Sequence, residues 1–348
     1  VCLLSHFGRP DGKYNEVFSL KQIIPSLKKY IKEEIIFSES LYGDKVKNIL
    51  EKSPSNSIIL FENTRFESGE ENNSKELAKN ISENADYFIN DAFSVSHRSH
   101  MSTTGLSNYL PSFSGRYLDK EILMINKALN IGNGKRLGII GGSKISTKLK
   151  VLENLTEKLD VLFVGGGMAN TFLLAKGYKI GKSLCEKSML KTAINILDTA
   201  KNKNCELIFP EDALIANDME KGTSFSEVMI DNVPNDALIL DIGSKTIENI
   251  NEFLSSVSTV VWCGPLGLFE LNPFQTGTVS VAKEISKLTK DGKLISVAGG
   301  GDTVAALSQS NYNKDFTYIS TAGGAFLELL AGESLPGIEV LKIDSEEK

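Results

Sequence analysis

The sequence predicts an α/β protein of two domains, each built on parallel sheet, joined by a helix. Three observations lead there. Short apolar runs alternate with stretches of helical periodicity along all 348 residues, the pattern of repeated βαβ units. That length exceeds what a single core supports, so two domains of roughly 150 residues each are expected. Glycine clusters recur where predicted strands turn into predicted helices, on the sheet edge where open α/β folds bind ligands.

In the first third, the apolar runs predict strands at 1–6, 34–37, 57–61 and 86–90. Helices are predicted between them at 19–30, with Ser19 as N-cap and Pro25 as a source of a kink, and at 73–83. Leu118, Ile122, Ile125 and Leu129 fall on one helical face, which predicts a connecting helix over 118–130. Ile131, Gly132, Asn133 and Gly134 are expected to break it. Further strands are predicted at 136–140, 160–164, 206–209, 237–241, 259–262, 293–298 and 316–320. The domain reading is 1–117, a helical connector 118–132, a second domain 133–333, and a tail 334–348 expected to pack back on the first domain.

Composition narrows the class. Hydrophobic residues make up 41% and charged residues 24%, ordinary values for a globular protein. A net charge of −6 argues against nucleic acid or an anionic membrane as the main partner, since both favour a basic face. Cys2, Cys185, Cys205 and Cys263 are scattered without zinc-ligand spacing, and no signal segment or long apolar run is present. A reducing cytoplasm is the expected compartment. The chain opens on Val1 inside an apolar run, so an upstream segment is expected to belong to the natural protein.

The basic residues are unevenly written. Four of the five arginines, Arg9, Arg65, Arg98 and Arg116, fall in the first third, and all three histidines, His6, His97 and His100, fall beside them. Arginine offers a planar fork that grips phosphate or carboxylate bidentately, so this grouping points to a polyanion pocket on an acidic body. A lysine-biased composition with a few residual arginines is the plain alternative.

The second half carries the glycine turns: Gly141-Gly142, Gly165-Gly166-Gly167, Gly299-Gly300-Gly301 and Gly323-Gly324. Such turns let backbone approach a phosphate and present a helix N-terminus to it, so four in one domain predict a nucleotide site. No G-x-G-x-x-G follows a strand, so no dinucleotide is indicated, and Gly177–Ser183 is a phosphate-loop lookalike one residue short. Asp302 beside such a turn is a candidate for Mg²⁺, or a simple N-cap. Lys144 and Lys148, four apart at a predicted helix start, either hold a phosphoryl group from one face or are solvated. The loop from Trp262 to Glu270 either walls an adenosine, with Glu270 on the ribose, or only packs.

In order along the chain, Ser-His-Phe-Gly-Arg-Pro (5–10), Phe-Glu-Asn-Thr-Arg-Phe (61–66), Asn-Asp-Ala-Phe-Ser-Val-Ser-His-Arg-Ser-His (90–100), Gly-Gly-Ser-Lys-Ile-Ser-Thr-Lys (141–148), Gly-Gly-Gly-Met-Ala-Asn-Thr-Phe (165–172), Trp-Cys-Gly-Pro-Leu-Gly-Leu-Phe-Glu (262–270), Gly-Gly-Gly-Asp-Thr (299–303) and Ser-Thr-Ala-Gly-Gly-Ala (320–325) closely resemble the phosphoglycerate kinase family. The resemblance implies two doubly wound parallel-sheet (Rossmann-like) domains joined by a helix, with a hinge. It implies reversible phosphoryl transfer from 1,3-bisphosphoglycerate to Mg-ADP, giving 3-phosphoglycerate and Mg-ATP, by a monomer. It maps phosphoglycerate binding onto His6, Arg9, Arg65, His97 and Arg98. Nucleotide binding maps onto Lys148, Glu270, Gly299, Gly300, Gly301, Asp302 and Thr303, with the metal at Asp302. Lys144, Gly323 and Gly324 map onto the groups that meet the transferring phosphoryl. Three departures stand out: the family's Arg-x-Asp-x-Asn segment and a further arginine are absent upstream, Cys263 replaces a usual asparagine, and Ala322 a common glycine. A relative that binds nucleotide without turnover is the alternative those departures raise.

Overall fold

Residues Val1–Asp119 and the segment beginning at Ser334 form one unit of the fold, and Lys120–Glu333 form the other. The computed structural model describes residues 1–130, 134–220 and 222–342. The expected break at Ile131–Asn133 and the end of the connector therefore lie outside the described residues.

In the first unit, strands β1 (Cys2–Leu3), β2 (Ile35–Ser38) and β3 (Ile58–Phe61) pair in parallel in the order β1-β3-β2. Strands β4 (Phe88–Asn90) and β5 (Ser112–Ser114) form a separate parallel pair. Between them lie α1 (Ile24–Leu27), α2 (Asp44–Lys52) and α3 (Lys75–Ser82), the last capped by Ser74 Oγ accepting from the Leu77 N–H. Val46, Ile59, Phe61, Leu77, Ile81, Met101 and Leu106 make its core.

The helix expected over 19–30 is corrected to two 3₁₀ turns, Glu16–Phe18 and Leu20–Ile23, and the single turn α1. Pro25 sits in the first turn of α1, where a missing N–H costs nothing, and so the helix starts late. Buried Glu62 also draws Ser19 Oγ (2.6 Å) and the Leu20 N–H (2.8 Å) away from regular helical pairing. Helix α4 (Arg116–Asn130) covers the stretch expected to be a connecting helix. From the far end of the chain, α12 (Pro336–Glu339) joins this unit, with the Gly337 N–H donating to the Ser96 carbonyl at 2.8 Å.

The second unit is built on six parallel strands in the order β14-β13-β12-β6-β7-β8. They are β6 (Arg136–Ile140), β7 (Val161–Val164), β8 (Glu206–Ile208), β12 (Thr259–Cys263), β13 (Ile295–Gly299) and β14 (Tyr318–Ile319). Helices α5 (Leu149–Lys158), α6 (Gly166–Ala175), α7 (Leu190–Asn202), α8 (Ser244–Ser256), α9 (Thr276–Lys290), α10 (Gly301–Ser310) and α11 (Gly324–Leu330) complete the unit. The strand residues are buried on both faces, which is why they read as unbroken apolar runs. Trp262, Phe163, Ile139, Val260 and Ile285 lie at its centre.

One element departs from the expected parallel pattern. The run at 237–241 becomes β11 (Leu238–Ile242), which pairs antiparallel with β9 (Asp212–Ala216), itself antiparallel to β10 (Phe225–Met229). Periodicity reports that a segment is extended but not which neighbour it meets, so this small sheet was invisible in the sequence.

The order of the six strands fixes where a ligand can enter. From β6 the chain moves outward through β7 to β8, then returns to β12 on the other side and moves outward through β13 to β14. The reversal between β6 and β12 is the switch point at which open α/β sheets leave a crevice at their carboxyl edge. There the two backbones nearly touch: the Gly141 N–H donates to the Cys263 carbonyl at 2.9 Å and the Gly142 N–H to the Pro265 carbonyl at 3.1 Å. Gly264, at φ +101°, has room for no side chain, since a Cβ there would lie 2.2 Å from the Gly141 oxygen. Gly177 has a similar φ of +91° but open space around it. Gly264→Ala is therefore expected to cost about 3 kcal/mol or more, against about 1 kcal/mol of backbone strain for Gly177→Ala, as read by chemical denaturation. Equal losses would mean that the strand ends have room to separate.

Candidate active site

Two of the glycine turns of the second unit, Gly141-Gly142 and Gly165–Gly167, border a cleft of about 300 Å³. Its floor is Gly142, Ser143, Gly166 and Gly167, one wall is Pro265–Glu270, and Asp302 stands at the edge. The remaining lining is largely apolar, from Leu173, Leu184, Ile230, Ile239 and Leu240. A cleft with backbone N–H groups at one end and aliphatic walls at the other suits a flat apolar ring carrying an anionic tail.

Lys148 is the hub of the floor. Its Nζ donates to the carbonyls of Gly141 (2.7 Å), the residue after β6, and Cys263 (3.1 Å), the last residue of β12. The expectation that Lys144 and Lys148 share a helix face is corrected: α5 begins only at Leu149, and Lys148 has φ −130°, outside the helical region. The pull of two carbonyls on its ammonium turns Lys148 inward, while Lys144 stays exposed on the preceding turn. Burial pushes the Cys263 thiol up, with the Lys148 charge opposing it, so Cys263 is a neutral packing group beneath the floor.

The other nucleotide-site candidates separate by exposure. Asp302 lies in the first turn of α10, after the N-cap Gly300 at φ +95°, and Gly301 faces open space. The Thr303 hydroxyl is buried and accepts from the Gly264 N–H at 2.6 Å, so it braces the wall loop. Glu270 is exposed at the cleft rim. Trp262 belongs to the core, its Nε1 donating to the Gly264 carbonyl at 2.7 Å, so of that loop only Pro265–Glu270 face the cleft. Gly323 and Gly324 open α11, and a Cβ on Gly323 would meet nothing within 4 Å. In the lookalike loop, Gly181 is pressed against the Ala237 and Pro234 carbonyls, so that glycine serves packing.

Among the described residues, no cluster of three or more His, Cys, Asp or Glu side chains suits a metal ion. The carboxylate beside the Gly299–Gly301 turn is Asp302, exposed in the first turn of α10. No helix of the described residues is long and apolar enough to cross a membrane.

The first unit concentrates positive charge. Arg65 is 5% exposed, its Nη1 donates to the Gly8 carbonyl at 2.7 Å and its Nε lies 3.0 Å from Glu71. Its Nη2 is buried without a hydrogen-bond partner, and burial together with the Arg98 charge works against its protonation. Arg98 Nε lies 3.3 Å from His97 Nε2. Arg9 is exposed and also acts on Arg65 through its charge. Burial, then Arg65, Arg98 and His100, push the His6 imidazole down from 6.5 to about 4. Mutual repulsion among these groups, with an unpartnered guanidinium N–H, is what an anion relieves.

Sequence reasoning missed several groups. Buried Glu70 accepts from the Ser102 N–H (3.1 Å) and hydroxyl (2.5 Å) and approaches His100 Nδ1 at 3.9 Å, bracing the loop that carries Arg98 and His100. Burial raises its carboxyl above the ordinary range. Asp241 lines the cleft, accepts from the Gly277 N–H at 2.7 Å, and is pushed by burial to about 8. A lone acid inside the apolar run 237–242 was the available signal for it.

A phosphoglycerate kinase family model matches residues 1–333. The chain is 47% identical to the phosphoglycerate kinase of Methylorubrum populi over 342 residues, covering 98% of this chain and 86% of that one. It is 48% identical to that of Brucella melitensis over 344 residues, with the same coverage. Among solved structures, the phosphoglycerate kinase of Coxiella burnetii matches with a TM-score of 0.88 at 39% identity, covering 98% of this chain and 85% of that one. That of Pyrococcus horikoshii matches with a TM-score of 0.80 at 29% identity, covering 98% and 86%.

The His6 environment makes a pH prediction. Its folded value of about 4 lies below the ordinary 6.5, so the unfolded chain binds more protons between them. Stability from His6 is complete above the ordinary value and is lost as pH falls toward the folded one. NMR titration of the His6 ring should give a depressed midpoint that moves up when inorganic phosphate is added, because bound anion offsets the arginine charges. A midpoint that phosphate leaves unmoved would mean that the basic cluster does not take an anion.

Proposed function

The chain belongs to the phosphoglycerate kinase family, and on that premise we propose how its residues divide the work of phosphoryl transfer. It is a kinase of glycolysis, moving a phosphoryl group reversibly from 1,3-bisphosphoglycerate to ADP to give 3-phosphoglycerate and ATP. Relatives named phosphoglycerate kinase, matched along 98% of the chain, disfavour the reading of a non-catalytic binder.

The reading rests on the glycine-built cleft at the β6/β12 reversal, which holds a nucleotide by shape and backbone dipoles. Gly299–Gly301 and the start of α10 take its phosphates, Lys148 sets the floor, Thr303 braces the wall, and Glu270 meets the ribose. Asp302 would hold Mg²⁺ jointly with the phosphates, where the ion would neutralise charge on the groups being exchanged. The phosphoglycerate occupies the cationic cluster of the first unit, gripped by Arg9, Arg65 and Arg98, with His6 and His97 as hydrogen-bonding partners. His6, kept neutral by its surroundings, contributes a hydrogen bond without adding to the repulsion.

Phosphoryl transfer asks little covalent chemistry of the protein, so positioning and charge stabilisation dominate. Lys144, on the turn beside Gly142 and Ser143, meets the transferring group, and the backbone at Gly323 and Gly324 faces it. Exclusion of water during transfer calls for hinge bending at 118–130 and 320–321. We place the enzyme in the cytoplasm as a monomer, in keeping with its scattered free cysteines.

A coupled assay of ATP formation from 1,3-bisphosphoglycerate and Mg-ADP tests the assignment. Lys144→Ala should lower kcat about a hundredfold while both KM values stay within about threefold, because its charge is needed most in the transition state. Arg98→Lys keeps charge but loses the fork, so KM for the glycerate substrate should rise about tenfold with nucleotide KM unchanged. Equal losses at both substrates refute the division of labour between the units. Solution X-ray scattering should show a smaller radius of gyration with both substrates present than with either alone, and identical profiles would exclude hinge closure.

A further inference from the structure

A short strap following α6, Leu184-Cys185-Glu186, ties the cleft wall to the turn that carries Lys144. At its first end, the Leu184 carbonyl accepts from Asn170 Nδ2 at 3.1 Å, and Leu184 lines the cleft. A Cβ built on Gly167 would meet both Ser143 (3.2 Å) and Leu184 Cδ2 (3.4 Å), so strap and floor share one seat on α6. In the middle, the Glu186 N–H donates to the buried Thr171 hydroxyl at 3.0 Å, fixing the strap to the helix. At the far end, the two Glu186 oxygens are divided: Oε2 accepts from the Ser146 N–H at 3.0 Å and Oε1 from the Ser146 hydroxyl at 2.5 Å.

Ile145, one residue after Lys144, is fully buried, so the turn is pinned inward by a hydrophobic anchor and outward by a carboxylate. Lys144 directly precedes Ile145 and lies two residues before Ser146. Its ammonium acts on Glu186 through charge, and although partial burial pushes the carboxyl up, the bonds from Ser146 and Ile145 and the Lys144 charge hold it below the usual range. Nothing in the transfer reaction needs an acid there. A carboxylate that shapes the turn without reaching the cleft acts through its neighbour.

We propose that Glu186 is a positioning residue for phosphoryl transfer, holding the Ile145–Ser146 turn so that Lys144 is presented to the transferring group. The inference rests on Lys144 meeting that group. A lysine on an unpinned turn keeps its charge but spends less time in the productive geometry, which lowers kcat and spares ground-state binding.

The test is a double-mutant cycle on the full chain, with kcat and both KM values measured for Glu186→Ala, Lys144→Ala and the pair. Glu186→Ala should lower kcat about tenfold and leave both KM values within about twofold. In the Lys144→Ala background the same change should cost less than about twofold, since the group it positions is gone. Glu186→Gln, which keeps one acceptor for Ser146, should recover part of the rate, and Tm should be nearly the same across the Glu186 variants because the bonds lost are to exposed Ser146. Full activity in Glu186→Ala with impaired Lys144→Ala overturns this inference alone, as do effects that multiply in the pair. Full activity in Lys144→Ala overturns the role of that lysine and this inference with it.

Discussion

The close approach of β6 and β12 at their carboxyl ends is the constraint from which the glycine-lined cleft of the second unit follows. Two parallel strands that diverge into opposite halves of a sheet leave carbonyls pointing into a shared gap, and burying them unpaired is costly. Here the gap is closed by backbone pairing of Gly141 with Cys263 and Gly142 with Pro265, and by the Lys148 ammonium across two of the carbonyls. Closure at that distance excludes side chains, and so Gly264, Gly141 and Gly166 stand where they do. The same lack of side chains leaves the floor open to a ligand's phosphates.

The first unit shows the opposite economy of charge. Burying Arg65 among like charges is unfavourable, and the structure offsets it only in part through Glu71 and the Gly8 carbonyl. Glu70 stabilises the neighbouring loop through Ser102 and does not neutralise the cluster fully. A basic cluster left short of anions is the arrangement on which the proposed phosphoglycerate site rests. An acidic chain of net charge −6 carries it without difficulty because only the local field matters at contact distance.

Much of this was legible beforehand because its signals are local. A strand buried on both faces must be an unbroken apolar run, so β3, β6, β7 and β12 were readable within a residue or two. A turn where backbones approach closely favours glycine, which marked Gly141-Gly142, Gly165–Gly167 and Gly299–Gly301 at the carboxyl ends of β6, β7 and β13. The bunching of arginines and histidines in the sequence reappears as a cluster of like charges around Arg65 and His6. Where tertiary partners competed with local preference the reading failed, as at 19–30, where Glu62 and Pro25 replace a regular helix with turns.

Sequence by itself determined the class of fold and the family, since periodicity, glycine placement and motif order are properties of the chain alone. Only the tertiary structure decided what the residues do in space. Lys144 and Lys148, four apart and alike on paper, part company because one ammonium is drawn under the floor by two carbonyls while the other stays on an exposed turn. Asp241, Glu70 and Glu186 acquired meaning in the same way, through partners 36, 32 and 40 residues distant. A carboxylate's role is set by which N–H groups and hydroxyls the fold carries to it, and contacts between residues so far apart leave no periodic trace in the sequence.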